Sequence, residues 1–167
     1  MSLLEEIQKT REYLDYIEEH YLNVQKAWKE VKGKCSNMRF IRDDFYFNFL
    51  DSEIKDHDES KLSEAEFVPY RNTFYPVKGQ KKPGLGKAWE HHKEKNYHHW
   101  ETWTQHSKTN NPNEWEVHCV HMVVDWMAMG YVFEDNAKEY YEKHKDDINL
   151  PHYAIEFMYK IFDKLGY

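Results

Sequence analysis

An adjacent histidine and aspartate, His57-Asp58, followed by Glu59, Ser60 and Lys61, is the stretch of this 167-residue chain whose residue types most directly suggest chemistry. A neutral imidazole and a carboxylate are ligands that divalent iron, manganese and zinc accept. One such pair arises by chance in many proteins, but here other donors accompany it. His20 precedes it, the doublets His91-His92 and His98-His99 follow, and Asp125 lies in the apolar run Val-Val-Asp-Trp-Met. The chain has eleven histidines, and their clustering is what asks for an explanation. A lone buried carboxylate at Asp125 would be costly, so it has to be neutral, paired or metal-bound. His118 and His121 precede it on the same run and are candidates to orient ligands through their second nitrogen. A buried Asp–His pair without metal is the alternative. Lys61 could hold a phosphate, or simply be a solvated charge favoured at a helix C-terminus.

These residues must be positioned by helices. From Leu3 to Val31 the apolar residues Leu14, Ile17, Tyr21, Val24, Trp28 and Val31 recur every three or four positions, one face of a long amphipathic helix, with His20 at its edge. Gly33 and Cys35-Ser36-Asn37 mark a turn. A second helix is expected from about Arg39 to Asp58, with Phe47, Leu50, Ile54 and His57 on one stripe. The HDESK run would then close that helix at a corner, its side chains able to face a shared cavity. Ser63-Glu64-Ala65-Glu66 reads as a capping box that begins another helix, which Pro69 and Tyr75-Pro76 interrupt. Residues 77–86, VKGQKKPGLG, read as a loop whose Lys78, Lys81 and Lys82 make it the most basic stretch.

A helix from Lys87 to about Ser107 carries both histidine doublets. Trp89, His92, Asn96, His99 and Trp103 form one stripe, which favours His92 and His99 over His91 and His98 as ligands. Residues seven apart on a straight helix stand ~10 Å apart, so one metal cannot take both. Two metals ~3.5–4 Å apart could take one each, given side-chain reach or a break near Asn96. After a loop at Asn110-Asn111-Pro112, with Asn113 and Glu116 as a cap, residues 114–131 are apolar on nearly every side and form the expected central helix. Two more helices are expected, Glu134 to about Lys145 and Pro151 to Leu165. His106, His144 and His152 lie outside the pattern and are expected at the surface. With no strand pattern, repeat or glycine-rich phosphate loop, the expectation is an all-α fold in one domain, 1–167.

The order His20, His57-Asp58, paired histidines, Asp125 resembles the HD superfamily of metal-dependent phosphohydrolases. It is most similar to small HD-like proteins of bacteria and phages that share His-Asp-x-Ser-Lys and His-His-Lys-x-x-Asn-x-His-His, here HDESK (57–61) and HHKEKNYHH (91–99). The resemblance spans roughly His20 to Asp125. It implies an HD-like helical bundle with a metal site between helices, ligated by His20, His57, Asp58 and Asp125. The doublets look like the additional ligands of bimetallic members, with His91 and His98 as alternatives to His92 and His99. It further implies two divalent transition metals, manganese, iron or another, that activate a hydroxide for attack on phosphorus. Lys61, with Asp58, would be catalytic and would bind phosphate, aided by Arg71, Lys81 and Lys82. The chain lacks the Gly-Tyr-Pro run of the cyclic-dinucleotide phosphodiesterases, so a nucleotide-like phosphoester is the broader expectation. Some HD proteins hold two irons and use dioxygen, and a non-catalytic, metal-stabilised interaction module is a further alternative.

Composition narrows the partners. A formal net charge of −7 argues against nucleic acid, whose phosphates want a basic surface. The 13 Tyr, 9 Phe and 6 Trp are too many large rings for a disordered chain. Cys35 and Cys119 form no motif, the N-terminus is not signal-like, and no apolar run approaches the ~18 residues of a membrane span. The expectation is a cytoplasmic protein of a bacterial or phage-infected cell.

Overall fold

The computed structural model describes residues 2–105 and 113–167, and among these every regular element is a helix. The expected all-α fold is what the chain adopts. The chain divides into two compact units, each discontinuous in sequence: Met1–Tyr21 with Asp58–Asn96, and Leu22–His57 with Tyr97–Tyr167.

The first unit contains the N-terminal part of α1 (Leu3–Lys34), a 3₁₀ turn at Glu59–Leu62, α4 (Phe67–Phe74) and α5 (Lys87–Lys95). Both α4 and α5 pack on the 3₁₀ turn. Its apolar centre is small: Tyr13, Tyr70 and Ala88 are buried, with Tyr16, Ile17, Phe67, Tyr75 and Leu85 against them. Tyr13 meets Phe67 edge-on at 5.3 Å and Tyr75 at 5.9 Å between ring centroids, separations at which aromatic pairs attract beyond their burial.

The second unit holds the rest of α1, α2 (Arg39–Arg42), α3 (Asp44–Lys55), α6 (Trp100–Trp103), α7 (Glu114–Phe133), α8 (Ala137–His144) and α9 (His152–Leu165). Its core is α7, which packs on α3, α6, α8 and α9. Val117, Val120, Met122, Val123, Val124 and Met127 are all buried, as an all-round apolar helix requires. Trp28 of α1 is buried in the same core and donates its indole N–H to Asp51 at 2.8 Å. Gly130 allows the chain after α7 to return closely, because a Cβ there would stand 2.5 Å from the Asp135 carbonyl oxygen.

Four boundary expectations are corrected. The helix expected from Arg39 to Asp58 breaks at Asp43, whose extended backbone and side chain cap α3 by accepting the Phe45 N–H. The helix expected from Lys87 to Ser107 ends at Asn96, which turns extended and donates its amide to the His92 carbonyl at 2.8 Å. The stripe through His92, Asn96 and His99 therefore does not exist. Glu66 is the residue before α4, but its side chain makes no cap bond there, so the capping-box reading fails. Pro69 lies in the first turn of α4 rather than interrupting it, where the missing N–H costs nothing. The loop expected at Asn110-Asn111-Pro112 and His106 lie outside the described residues.

Candidate metal-binding clusters

In the first unit the site is built on Asp58. Its backbone is left-handed, φ 57° and ψ 16°, a conformation that only glycine, asparagine and aspartate visit readily. This residue separates the Asp56 cap of α3 from the 3₁₀ turn that carries Lys61 one turn later. Lys61 is buried, not solvated, and its ammonium donates to Asp58 Oδ2 at 2.6 Å. His92 Nε2 stands 3.3 Å from Asp58 Oδ1, and His20 Nε2 stands 3.6 Å from Oδ2. Lys61 also lies 5.4 Å and 6.0 Å from the ring centroids of Tyr16 and Tyr70, close enough for the rings to stabilise the cation.

Glu66 supports this cluster from behind. Its fully buried carboxylate accepts from His91 Nδ1 at 2.6 Å and from His92 Nδ1 at 2.8 Å. Burial alone would raise its pKa, but hydrogen bonds from His92, His91 and Ser60 outweigh that and hold it below the usual value. An ionised carboxylate only accepts, so both Nδ1 atoms carry protons. Burial likewise pushes the His92 imidazolium toward neutrality, and its bonds to Asp58 and Glu66 reverse the direction and raise its pKa. With Nδ1 committed to Glu66, Nε2 is the atom of His92 that faces Asp58. His91 spends its Nδ1 on Glu66 and is partly exposed. Ser60 and Asn96 complete the frame: the Asn96 amide donates to Ser60 Oγ at 2.7 Å.

The second unit gathers histidines from three places. His57 follows α3, His98 precedes α6 and His121 lies on α7. All three are buried, and each can offer a ring nitrogen within 4.8 Å of the others. His57 Nδ1 and His121 Nε2 are 2.9 Å apart, so one donates and the other accepts, or a cation takes both lone pairs. The other nitrogen of His57 stands 3.5 Å from Asp125 Oδ1. The His98 ring lies 4.4 Å from that of His57 and 4.6 Å from that of His121. His99 is half-buried with its ring 4.3 Å from His98.

Each unit brings several of the sequence-predicted residues together. His20, Asp58, Lys61 and His92 come together in the first unit, and His57, His98, His121 and Asp125 in the second. His121 stands at ligand distance in the trio, whereas His118 sits with Glu114 at 3.8 Å and the rings of Phe49 and Tyr97. Arg71 is paired with Glu6 of α1, and Lys81 and Lys82 are exposed in their loop. His152 is exposed beside Glu156, as expected of a surface residue, while His144 is half-buried with its ring 4.7 Å from that of Tyr140. Glu66 was missed, because a glutamate three residues after a serine carries the same signature as a helix cap. The donor sets fit a divalent metal: buried imidazoles that converge, and a histidine whose far nitrogen is fixed by a carboxylate, are what such ions use.

The fold and these clusters define an all-α protein with buried histidine and aspartate groups at metal-binding distance. No helix among the described residues is long and apolar enough to cross a membrane. The chain belongs to a family of unknown function, DUF5662, whose model matches residues 9–164. Comparison with curated proteins and with solved structures gives no match.

Proposed function

We propose that this protein is a metal-dependent phosphohydrolase of the HD type, acting on a small phosphoester of the nucleotide or nucleotide-derived class. The observation that supports this most is the buried Asp58 carboxylate, approached by Lys61, His92 and His20 in the first unit. A catalytic carboxylate with a buried ammonium beside it is a pairing that phosphoryl chemistry can use, because the cation can meet phosphoryl oxygens as charge develops on them. His20, Asp58 and His92 would hold metal in the first unit, and His57, His98, His121 and Asp125 in the second, with His99 beside them. Two divalent transition-metal ions per chain, manganese or iron, is the loading this reading expects. A bound divalent cation supplies Lewis acidity and makes hydroxide available near neutral pH.

The chain's own residues do the rest. Asp58 holds Lys61 in place, Glu66 fixes the tautomer of His92, and the rings of Tyr16 and Tyr70 flank the Lys61 ammonium. The exposed Lys81 and Lys82 would meet the anionic substrate on approach.

The deciding experiment is metal analysis of protein purified without chelator, for wild type and Asp58→Ala, followed by a phosphoester panel with manganese and with iron. About two equivalents of metal in the wild type, a reduced content in the variant and metal-dependent release of phosphate are expected. A wild-type chain that takes up no metal even on reconstitution would overturn the reading. Metal with dioxygen consumption and no phosphate release would replace hydrolysis by oxidation.

A further inference from the structure

Two tyrosine hydroxyls in the first unit pose a problem that the metal ligands do not solve. Tyr13 is fully buried and Tyr70 is 5% exposed, and neither hydroxyl has a hydrogen-bond partner among the described residues. A buried hydroxyl left unpaired costs roughly 1–3 kcal/mol, and native interiors rarely leave two in one small cluster. They do share one cluster, the apolar centre of that unit. Lys61 lies at its edge, 6.0 Å from the Tyr70 ring and 5.4 Å from that of Tyr16, which in turn lies 6.5 Å from Tyr13. Burial raises the pKa of both tyrosines, with the Lys61 charge acting in the opposite direction, so both remain neutral O–H groups.

The chemistry these groups share is restrictive. An ammonium only donates, and a phenol that stays neutral offers its proton readily. A group that meets all three must be rich in acceptors. Asp58 and Glu66 bring negative charge nearby, but Asp58 is paired with the Lys61 ammonium and Glu66 accepts from the imidazole N–H groups of His91 and His92.

We propose that Tyr13 and Tyr70, together with Lys61, form an oxyanion subsite that takes the oxygens of a phosphoryl group. The choice of phosphoryl over another oxyanion rests on the phosphohydrolase reading. The two hydroxyls are unpaired until the ligand arrives and become satisfied by it, so their cost is recovered as affinity for that ligand.

The test is titration of the full-length protein with inorganic phosphate by calorimetry, in chelator-containing buffer so that no metal carries the anion. Saturable binding is expected, weakened about ten-fold or more in each of Tyr13→Phe and Tyr70→Phe, since a hydrogen bond to a charged group contributes that much, and lost in the double variant. Tyr75→Phe should bind as wild type does. Phenylalanine removes an unpaired hydroxyl without changing shape, so ligand-free variants should melt at or above the wild-type temperature. A lower melting temperature would mean that the hydroxyls are satisfied structurally, and would overturn the proposal. So would absent binding in the wild type, or binding that the double variant retains. Phosphoester hydrolysis whose KM ignores both substitutions would remove this subsite and leave the hydrolase. Tyrosine-dependent phosphate binding without any hydrolysis would leave the subsite as an anion site and remove the hydrolase.

Discussion

Replacing Glu66 by glutamine should destabilise the fold even when no metal is present. The Glu66 carboxylate is fully buried and accepts two short hydrogen bonds, 2.6 Å from His91 and 2.8 Å from His92. Hydrogen bonds to a charged group contribute about 1.5–3 kcal/mol each. Glutamine keeps one carbonyl acceptor but turns an N–H₂ toward the second imidazole, so one bond becomes neutral and the other places donor against donor. His92 also loses one of the two carboxylates whose hydrogen bonds raise its pKa. The His91 contribution is the smaller, because that side chain is 30% exposed. Together these give a loss of about 3 kcal/mol, within the range for breaking a buried charged pair. For a chain of this length that corresponds to a melting temperature lower by about 6–12 °C. Thermal unfolding followed by circular dichroism, with chelator in the buffer, measures it directly. A Glu66→Gln variant melting within about 2 °C of wild type would mean that the Glu66–histidine bonds contribute no net stability, and the argument would fail. In a double-mutant cycle with His92→Asn, a coupling energy near zero would refute it equally.

Three other outcomes follow from particular contacts. Gly130→Ala drives a methyl group against the Asp135 carbonyl at 2.5 Å, so urea titration should show a loss of about 1–3 kcal/mol, the usual cost of overpacking. Glu53 is held above its ordinary pKa by burial first and by the carboxylates of Asp56 and Glu114 second. The folded state therefore binds its proton more tightly than the unfolded state, and the stability this provides is present below the unfolded pKa and lost as pH rises through the folded one. Glu53→Gln should accordingly raise the melting temperature at pH 7 and leave it unchanged near pH 4, and an equal shift at both would exclude the electrostatic cause. If divalent metal binds the folded chain, loading at 100 times the dissociation constant should stabilise it by about 2.7 kcal/mol, read as a melting temperature about 5–11 °C above that of chelator-treated protein.

Much of the helical architecture was legible in the sequence. The apolar spacing along α1, the all-round apolar α7 and the one-sided α9 are properties of local sequence, and the three- and four-residue period that marks a helix is also local. The residue types suited to metal ligation were equally plain, because histidine and aspartate carry their donor atoms wherever they fold. What periodicity cannot show is where a polar side chain satisfies itself. Asn96 and Asp43 could each have continued a helix; each breaks one because its side chain finds backbone groups to bond, a competition of about 1 kcal/mol either way. Glu66 has the spacing of a helix cap but is drawn inward by two imidazoles twenty-five and twenty-six residues further on. His121 reads from sequence as a group that orients ligands, yet packing of α3 and α6 on α7 brings it beside His57 and His98. The sequence by itself determined the helices and the stock of donor atoms. The tertiary structure alone decided which donors converge and which nitrogen each presents, because those depend on charges and hydrogen bonds between residues far apart in the chain.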